Sequence, residues 1–227
     1  MEAPSAPSST RQFSFEGQQQ HQHLIQVDQS AGAAAACAAD STGLTVWPVG
    51  LALCEHLAAH PGLVEGKRTL ELGCGAGLPG LLALALGAAH VTFADREQPV
   101  SGAEPEPRIP GGVWEILRRD LPPLARQVLA QVRRSAALNG FSAARADAQL
   151  YDWERPAQPP GGWAGAWRLV VAADVVYASR TARPLAAALR ALLHPTEGVA
   201  LVAHQERRAV SLDPATRLPR VDTCDEP

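Results

Sequence analysis

The 227-residue chain is 46% hydrophobic, with 19 glycines, 19 prolines and a formal net charge of −3, which suits one globular domain with loose ends. Its arginines are scattered among acidic residues without a basic stripe, which argues against a nucleic-acid partner, and its longest apolar run is too short for a membrane span. Cys37, Cys54, Cys74 and Cys224 lack metal-ligand spacing and follow no secretory signal, which favours a reducing compartment, cytoplasmic or nuclear, without disulfides.

Residues 1–12, rich in Pro, Ser and Ala, read as disordered. Residues 13–41 read as an extension in which Phe13, Phe15, Leu24, Ile25 and Val27 alternate imperfectly, as in a small hairpin broken by a Gln/His run, followed by a low-complexity loop over 31–40. His21 and His23 have no acidic or thiol partner in that run, so they read as solvated and no metal is assigned. The main domain spans 42–208. It opens with a helix whose first turn holds Pro48 and whose one face carries Val49, Ala52, Leu53 and Leu57, ending near Pro61-Gly62.

A short apolar strand follows over 68–72, then a helix over 78–89 that is apolar enough to be buried. Next come a strand over 90–94 ending at Asp95, a Pro-rich insertion over 101–123, and a helix over 126–138 closed by Asn139-Gly140. Strands are predicted at 146–150, at 168–173 ending at Asp174, and at 199–203, with a helix over 181–193 before the last; 209–227 reads as an irregular tail. Strands alternating with helices imply an α/β fold. Its sheet should be mostly parallel, with right-handed crossovers, helices on both faces and a ligand crevice at the carboxyl ends of the strands.

The glycines of Leu70-Glu71-Leu72-Gly73-Cys74-Gly75-Ala76-Gly77 stand at the end of the first of these strands, where backbone can approach a ligand closely and a helix start can aim N–H groups at it. Gly75-x-Gly77-x-x-Gly80, with Asp95 about 20 residues on, fits a dinucleotide fingerprint. Its register is poor, because Gly73 and Cys74 stand where that strand should still be apolar. The other reading, Glu71-x-Gly73-x-Gly75-x-Gly77, resembles motif I of the S-adenosylmethionine-dependent methyltransferases with a Rossmann-like fold. A carboxylate at the loop mouth repels a pyrophosphate and tolerates a ligand carrying an ammonium and a sulfonium, so Glu71 favours S-adenosylmethionine. Asp95 can accept from both ribose hydroxyls, Asp152 from an adenine amino group, and the Trp153 indole can cover the ring or simply anchor the loop. Asp174 and Tyr177 end a further strand at the same edge.

Together, Gly43-x-x-x-Trp47, the 71–77 loop, Asp95, Asp152-Trp153 and Ala172-Ala173-Asp174-Val175-Val176-Tyr177 resemble the methyltransferase-16 family of seven-β-strand protein lysine methyltransferases, over roughly 43–208. The resemblance implies a Rossmann-like class I methyltransferase fold with S-adenosyl-L-methionine as cofactor. By it, Gly73, Gly75 and Gly77 cradle the methionine part, Asp95 the ribose, Asp152 and Trp153 the adenine, and Trp47 and Ala173 line the cofactor. Asp174 and Tyr177 face a protein substrate and act in catalysis, most simply on a lysine, with histidine or an amino terminus as other acceptors.

Two departures stand out. The 101–123 insertion lengthens one loop, at a cost of only about 0.6 kcal/mol per doubling. The family sheet continues for two more strands, whereas 211–227 is polar and Pro-containing, so the sheet reads as truncated after its fifth strand, with 199–203 or a neighbour as an exposed edge. An NAD-type oxidoreductase and an inactive protein that only binds cofactor or a partner are the alternative functions.

Overall fold

The computed structural model describes residues 10–29, 45–96, 124–153, 159–176, 179–205, 209–212 and 219–222. The expectations for 1–9, 31–40, 101–123 and Tyr177 fall outside them. The predicted hairpin is present as β1 (Thr10–Glu16) and β2 (Gln22–Asp28), antiparallel across a short 3-10 turn. It begins at Thr10, so 10–12 are strand and not disordered. The reason lies in the alternation, since Phe13, Phe15, Ile25 and Val27 all turn inward into the core.

Helix α1 (Pro48–Ala59) starts on Pro48, whose fixed φ and missing N–H suit a first turn. Its buried face is Val49, Leu53, Cys54, Leu57 and Ala58, and Ala52 is exposed, because the stripe runs through Cys54 and Ala58 instead. Then follow β3 (Arg68–Leu72), α2 (Leu78–Ala85), β4 (His90–Asp95), α3 (Leu124–Leu138), β5 (Ala146–Leu150), β6 (Leu169–Ala173), α4 (Ser179–Leu192) and β7 (Val199–Ala203). Helix α2 stops four residues before the predicted end. Gly87 at φ +95° and Arg145, which donates to the carbonyls of Leu84 and Ala88, close it there.

The five strands β3 to β7 pair in parallel, in the order β5-β4-β3-β6-β7. The chain reverses its direction of travel across the sheet between β3 and β6, which makes the gap beyond their carboxyl ends a topological switch point. Where an irregular tail is expected, β8 (Ala209–Leu212) and β9 (Pro219–Asp222) form a separate antiparallel ladder.

Two cores flank the sheet. On one face Val91, Phe93, Ala146, Ala148, Leu169 and Val171 meet α1, α2, α3 and the β1–β2 hairpin. On the other, Leu70, Leu72, Ala94, Val170 and Ala172 meet α4 and the rings of Tyr151, Trp153, Trp163 and Trp167. The hairpin is held to α3 by polar contacts at four-residue intervals. The Asn139 side chain receives the Gln26 N–H at 2.9 Å and donates to the Gln26 carbonyl at 2.6 Å, while Ser135 Oγ receives the Asp28 N–H at 2.9 Å. Arg134 pairs with the Asp28 carboxylate. Two strand residues advance about as far as one helical turn, so the same pairing repeats along both elements.

Candidate active site

Parallel pairing sets the strand ends level. Leu72 of β3 lies opposite Ala94 of β4 and Ala172 of β6, and Asp95 lies opposite Leu150 of β5. The four predicted clusters therefore share one edge of the sheet. At the switch point the 73–77 loop, Thr45, Val46, Trp47, Gly50, Glu71, Leu78, Pro79 and Ala173 line a cleft that is open to solvent on one side.

Glycine is required in this loop by both backbone and space. Gly73, Gly75 and Gly77 have φ of +62°, +48° and +76°, a region costly for residues with a Cβ. A Cβ on Gly73 would also stand 2.6 Å from Val175 Cγ1, and one on Gly77 would stand 3.0 Å from Val132 of α3. The turn is tied down by its own backbone: Cys74 N–H donates to Ala94 O at 3.0 Å and Gly77 N–H to Cys74 O at 2.7 Å.

Glu71 occupies an unusual place. Its row across the first face is Ala148, Phe93, Glu71, Val171 and Leu201, so it is a carboxyl in an apolar line, 2% exposed. Its Oε2 accepts the Gly80 N–H of α2 at 3.0 Å, and a Cβ on Gly80 would come within 2.5 Å of the same oxygen. Burial pushes the Glu71 carboxyl up to about 8; the Gly80 bond opposes the rise and the Asp95 charge adds to it. The start of α2 is thus not an array of free N–H groups, as the glycine pattern suggests, since Pro79 has no N–H and that of Gly80 is taken by Glu71. Nor is Glu71 an open carboxylate at the loop mouth, because it reaches the cleft from within the core.

Asp95 is 6% exposed and closes the loop. Its Oδ2 receives the Gly75 N–H at 2.9 Å and lies 3.9 Å from Cys74 Sγ, and its Oδ1 receives the Arg96 N–H at 2.8 Å. Burial raises its carboxyl against those two backbone bonds and the Arg96 charge. Each oxygen keeps a further lone pair for a ligand. Burial also pushes the thiols of Cys54 and Cys74 up, and both cysteines are free.

Of the residues expected at the site, Trp47, Glu71, Gly73, Gly75, Gly77 and Ala173 surround the cleft together. Trp47 precedes α1, its carbonyl accepts from the Gly50 and Leu51 N–H groups, and its ring is 39% exposed. Asp95, Asp152 and Trp153 are not in the lining. Trp153 is 6% exposed and packs in the second core. Asp174 follows Ala173 at φ +57°, with its N–H on Ala203 O at 2.9 Å. A left-handed aspartate is tolerated at some cost, and such positions cluster at functional sites. Thr45, Val46, Gly50, Leu78 and Pro79 also line the cleft, outside the expected site residues. Thr45 and Val46 lie within the Gly43-x-x-x-Trp47 spacing, and Leu78 and Pro79 directly follow the glycine loop.

A five-strand parallel sheet in this order, with a three-glycine loop and an acidic strand end at its switch point, defines a Rossmann-like α/β fold with a nucleotide-cofactor crevice there. The chain matches the Methyltransf_16 model, lysine methyltransferase, over residues 28–104 and 124–215, and it belongs to that family. The match extends beyond the 43–208 resemblance at both ends and passes over 105–123, inside the Pro-rich insertion.

The chain is 44% identical over 64 residues to the protein-lysine N-methyltransferase EFM3 of Chaetomium thermophilum, covering 28% of this chain and 19% of that one. It is 46% identical over 52 residues to the protein N-lysine methyltransferase METTL21A of Danio rerio, covering 23% of each. It is also 43% identical over 53 residues to the histone-arginine methyltransferase METTL23 of Rattus norvegicus, again 23% of each. The shared stretches span about a quarter or less of these relatives.

Proposed function

We propose that this protein is an S-adenosylmethionine-dependent protein N-methyltransferase that modifies lysine side chains. The observation that carries the reading is the Glu71–Gly80 hydrogen bond. It fills the anion-binding start of α2 with the protein's own carboxyl, which disfavours the pyrophosphate of a dinucleotide and suits a cationic ligand. Family membership supports the choice of cofactor and of lysine. The names of the relatives divide between lysine and arginine acceptors, so the acceptor rests on the family description.

Bound S-adenosylmethionine supplies a methyl group on a sulfonium, which a neutral amine can displace in line. The 73–77 loop, Trp47 and Ala173 would hold the methionine part, and Asp95, beside Gly75, would reach the ribose. Asp152 and Trp153 are proposed for the adenine end. Asp174 would orient the substrate amine and stabilise the charge that stays with it, together with Tyr177. Because free lysine is mostly protonated at neutral pH, the site must also shed a proton to water before transfer. Buried free Cys54 and Cys74 fit a reducing compartment, cytosol or nucleus, and no helix among the described residues is long and apolar enough to cross a membrane.

Calorimetric titration with S-adenosylhomocysteine and with NAD tests the reading. The chain should bind the first and not the second, and Gly75→Arg should abolish binding while leaving the circular dichroism spectrum intact. Binding of NAD alone would return the protein to the oxidoreductases.

A further inference from the structure

One buried acid, Glu71, lines the cleft, and a second, Asp95, lies behind its loop. Glu71 on β3 faces Asp95 at the end of β4, Cys54 on α1, Cys74 in the loop and the Gly80 N–H of α2. Nothing cationic among the described residues contributes at Glu71. A carboxylate so buried, with one backbone N–H on Oε2 and apolar Phe93 and Val171 on either side in the sheet, is costly to keep charged. Yet Glu71 lines the cleft, so a ligand can reach it where bulk water scarcely does.

We propose that Glu71 is a proton-exchanging anchor: in the ligand-free protein its Oε1 carries a proton, and the ammonium of an incoming ligand takes that proton's place and sends it to solvent. This rests on reading the cleft as the methionine end of an S-adenosylmethionine site. No bond other than the O–H is broken, and the released proton leaves a carboxylate paired with an ammonium while Oε2 keeps the Gly80 N–H. Carrying the proton spares the empty fold a buried charge, and cofactor affinity then rises with pH. Asp95 does not take this role, because its two oxygens already receive the Gly75 and Arg96 N–H groups, which favour its charged form.

The test is calorimetry of S-adenosylhomocysteine binding to the full chain in two buffers of different ionisation enthalpy, between about pH 5 and pH 7, where the ligand's amino group stays protonated. Close to one proton should be released per ligand, with affinity tightening about tenfold per pH unit, the linkage slope for one proton. Glu71→Gln should bind with no proton release and a flat pH profile. Infrared difference spectra of the wild-type chain should show a protonated-carboxyl band that vanishes on binding, which decides the matter even if the Gln variant does not fold. Binding without proton release, or without that band, overturns the inference and leaves the cofactor reading in place. Failure of the wild-type chain to bind S-adenosylhomocysteine overturns both.

Discussion

The two faces of the sheet bury similar strands and solve different problems. The face under α4 is covered by four aromatic residues. Tyr151, Trp163 and Trp167 stand in a chain with ring centroids 5.5 and 5.4 Å apart, and Trp153 lies in the same core. Between β5 and β6, where an α/β crossover usually carries a helix, these rings fill the layer among the described residues. The face under α1, α2 and α3 is built mainly from aliphatic groups, with Phe13, Phe15 and Phe93 and no tryptophan among its described buried residues, and Glu71, Thr69, Gln131 and Ser135 are buried among them. Aromatic bulk suits a side that only has to be filled. Aliphatic residues and buried polar groups suit the side where backbone must reach a ligand.

If that division holds, the largest effect should come from Glu71. Its carboxyl binds a proton up to about pH 8 in the folded chain and only up to about 4.5 when unfolded. Between those values the folded state holds a proton that the unfolded state has lost, so stability falls as pH rises across the window and levels off above it. At 1.36 kcal/mol per pH unit the full loss is at most roughly 5 kcal/mol. Denaturant unfolding of ligand-free Glu71→Gln should lack this decline, and equal slopes in both proteins would break the contrast between the faces.

Trp167→Ala should cost about 3–5 kcal/mol of stability, as for other large buried aromatic truncations, since the residue is 1% exposed and meets Trp163 edge to face. Measured below its melting temperature, the variant should bind S-adenosylhomocysteine as the wild type does. A loss of affinity there would tie the aromatic face to the site.

Gly80→Ala should cost less, about 1–3 kcal/mol from overpacking, because its Cβ would stand 2.5 Å from both Glu71 Oε2 and Phe93 Cε1. Unlike Trp167→Ala it should also weaken ligand binding, by displacing Glu71. The ratio of affinity loss to stability loss, read by calorimetry and denaturant unfolding on both variants, sharpens the comparison.

Much of this was legible in one dimension. The strands 68–72, 146–150 and 199–203 coincide with β3, β5 and β7, because short alternating or apolar segments stand between Gly, Pro and Asn turn signals. The parallel sheet and the glycine loop followed from alternation and spacing, since only glycine reaches the loop's positive φ without strain. Glu71 was conspicuous as one acid in an apolar strand. What it does was decided by the tertiary structure, because its partner Gly80 sits on the next helix and its burial comes from neighbouring strands. Pairing across strands likewise set Asp95 onto Gly75 and sent Trp153 into the second core. The local sequence marks a tryptophan at a strand end, and only the packing of α4 and Trp163 against the sheet decides which way its ring turns.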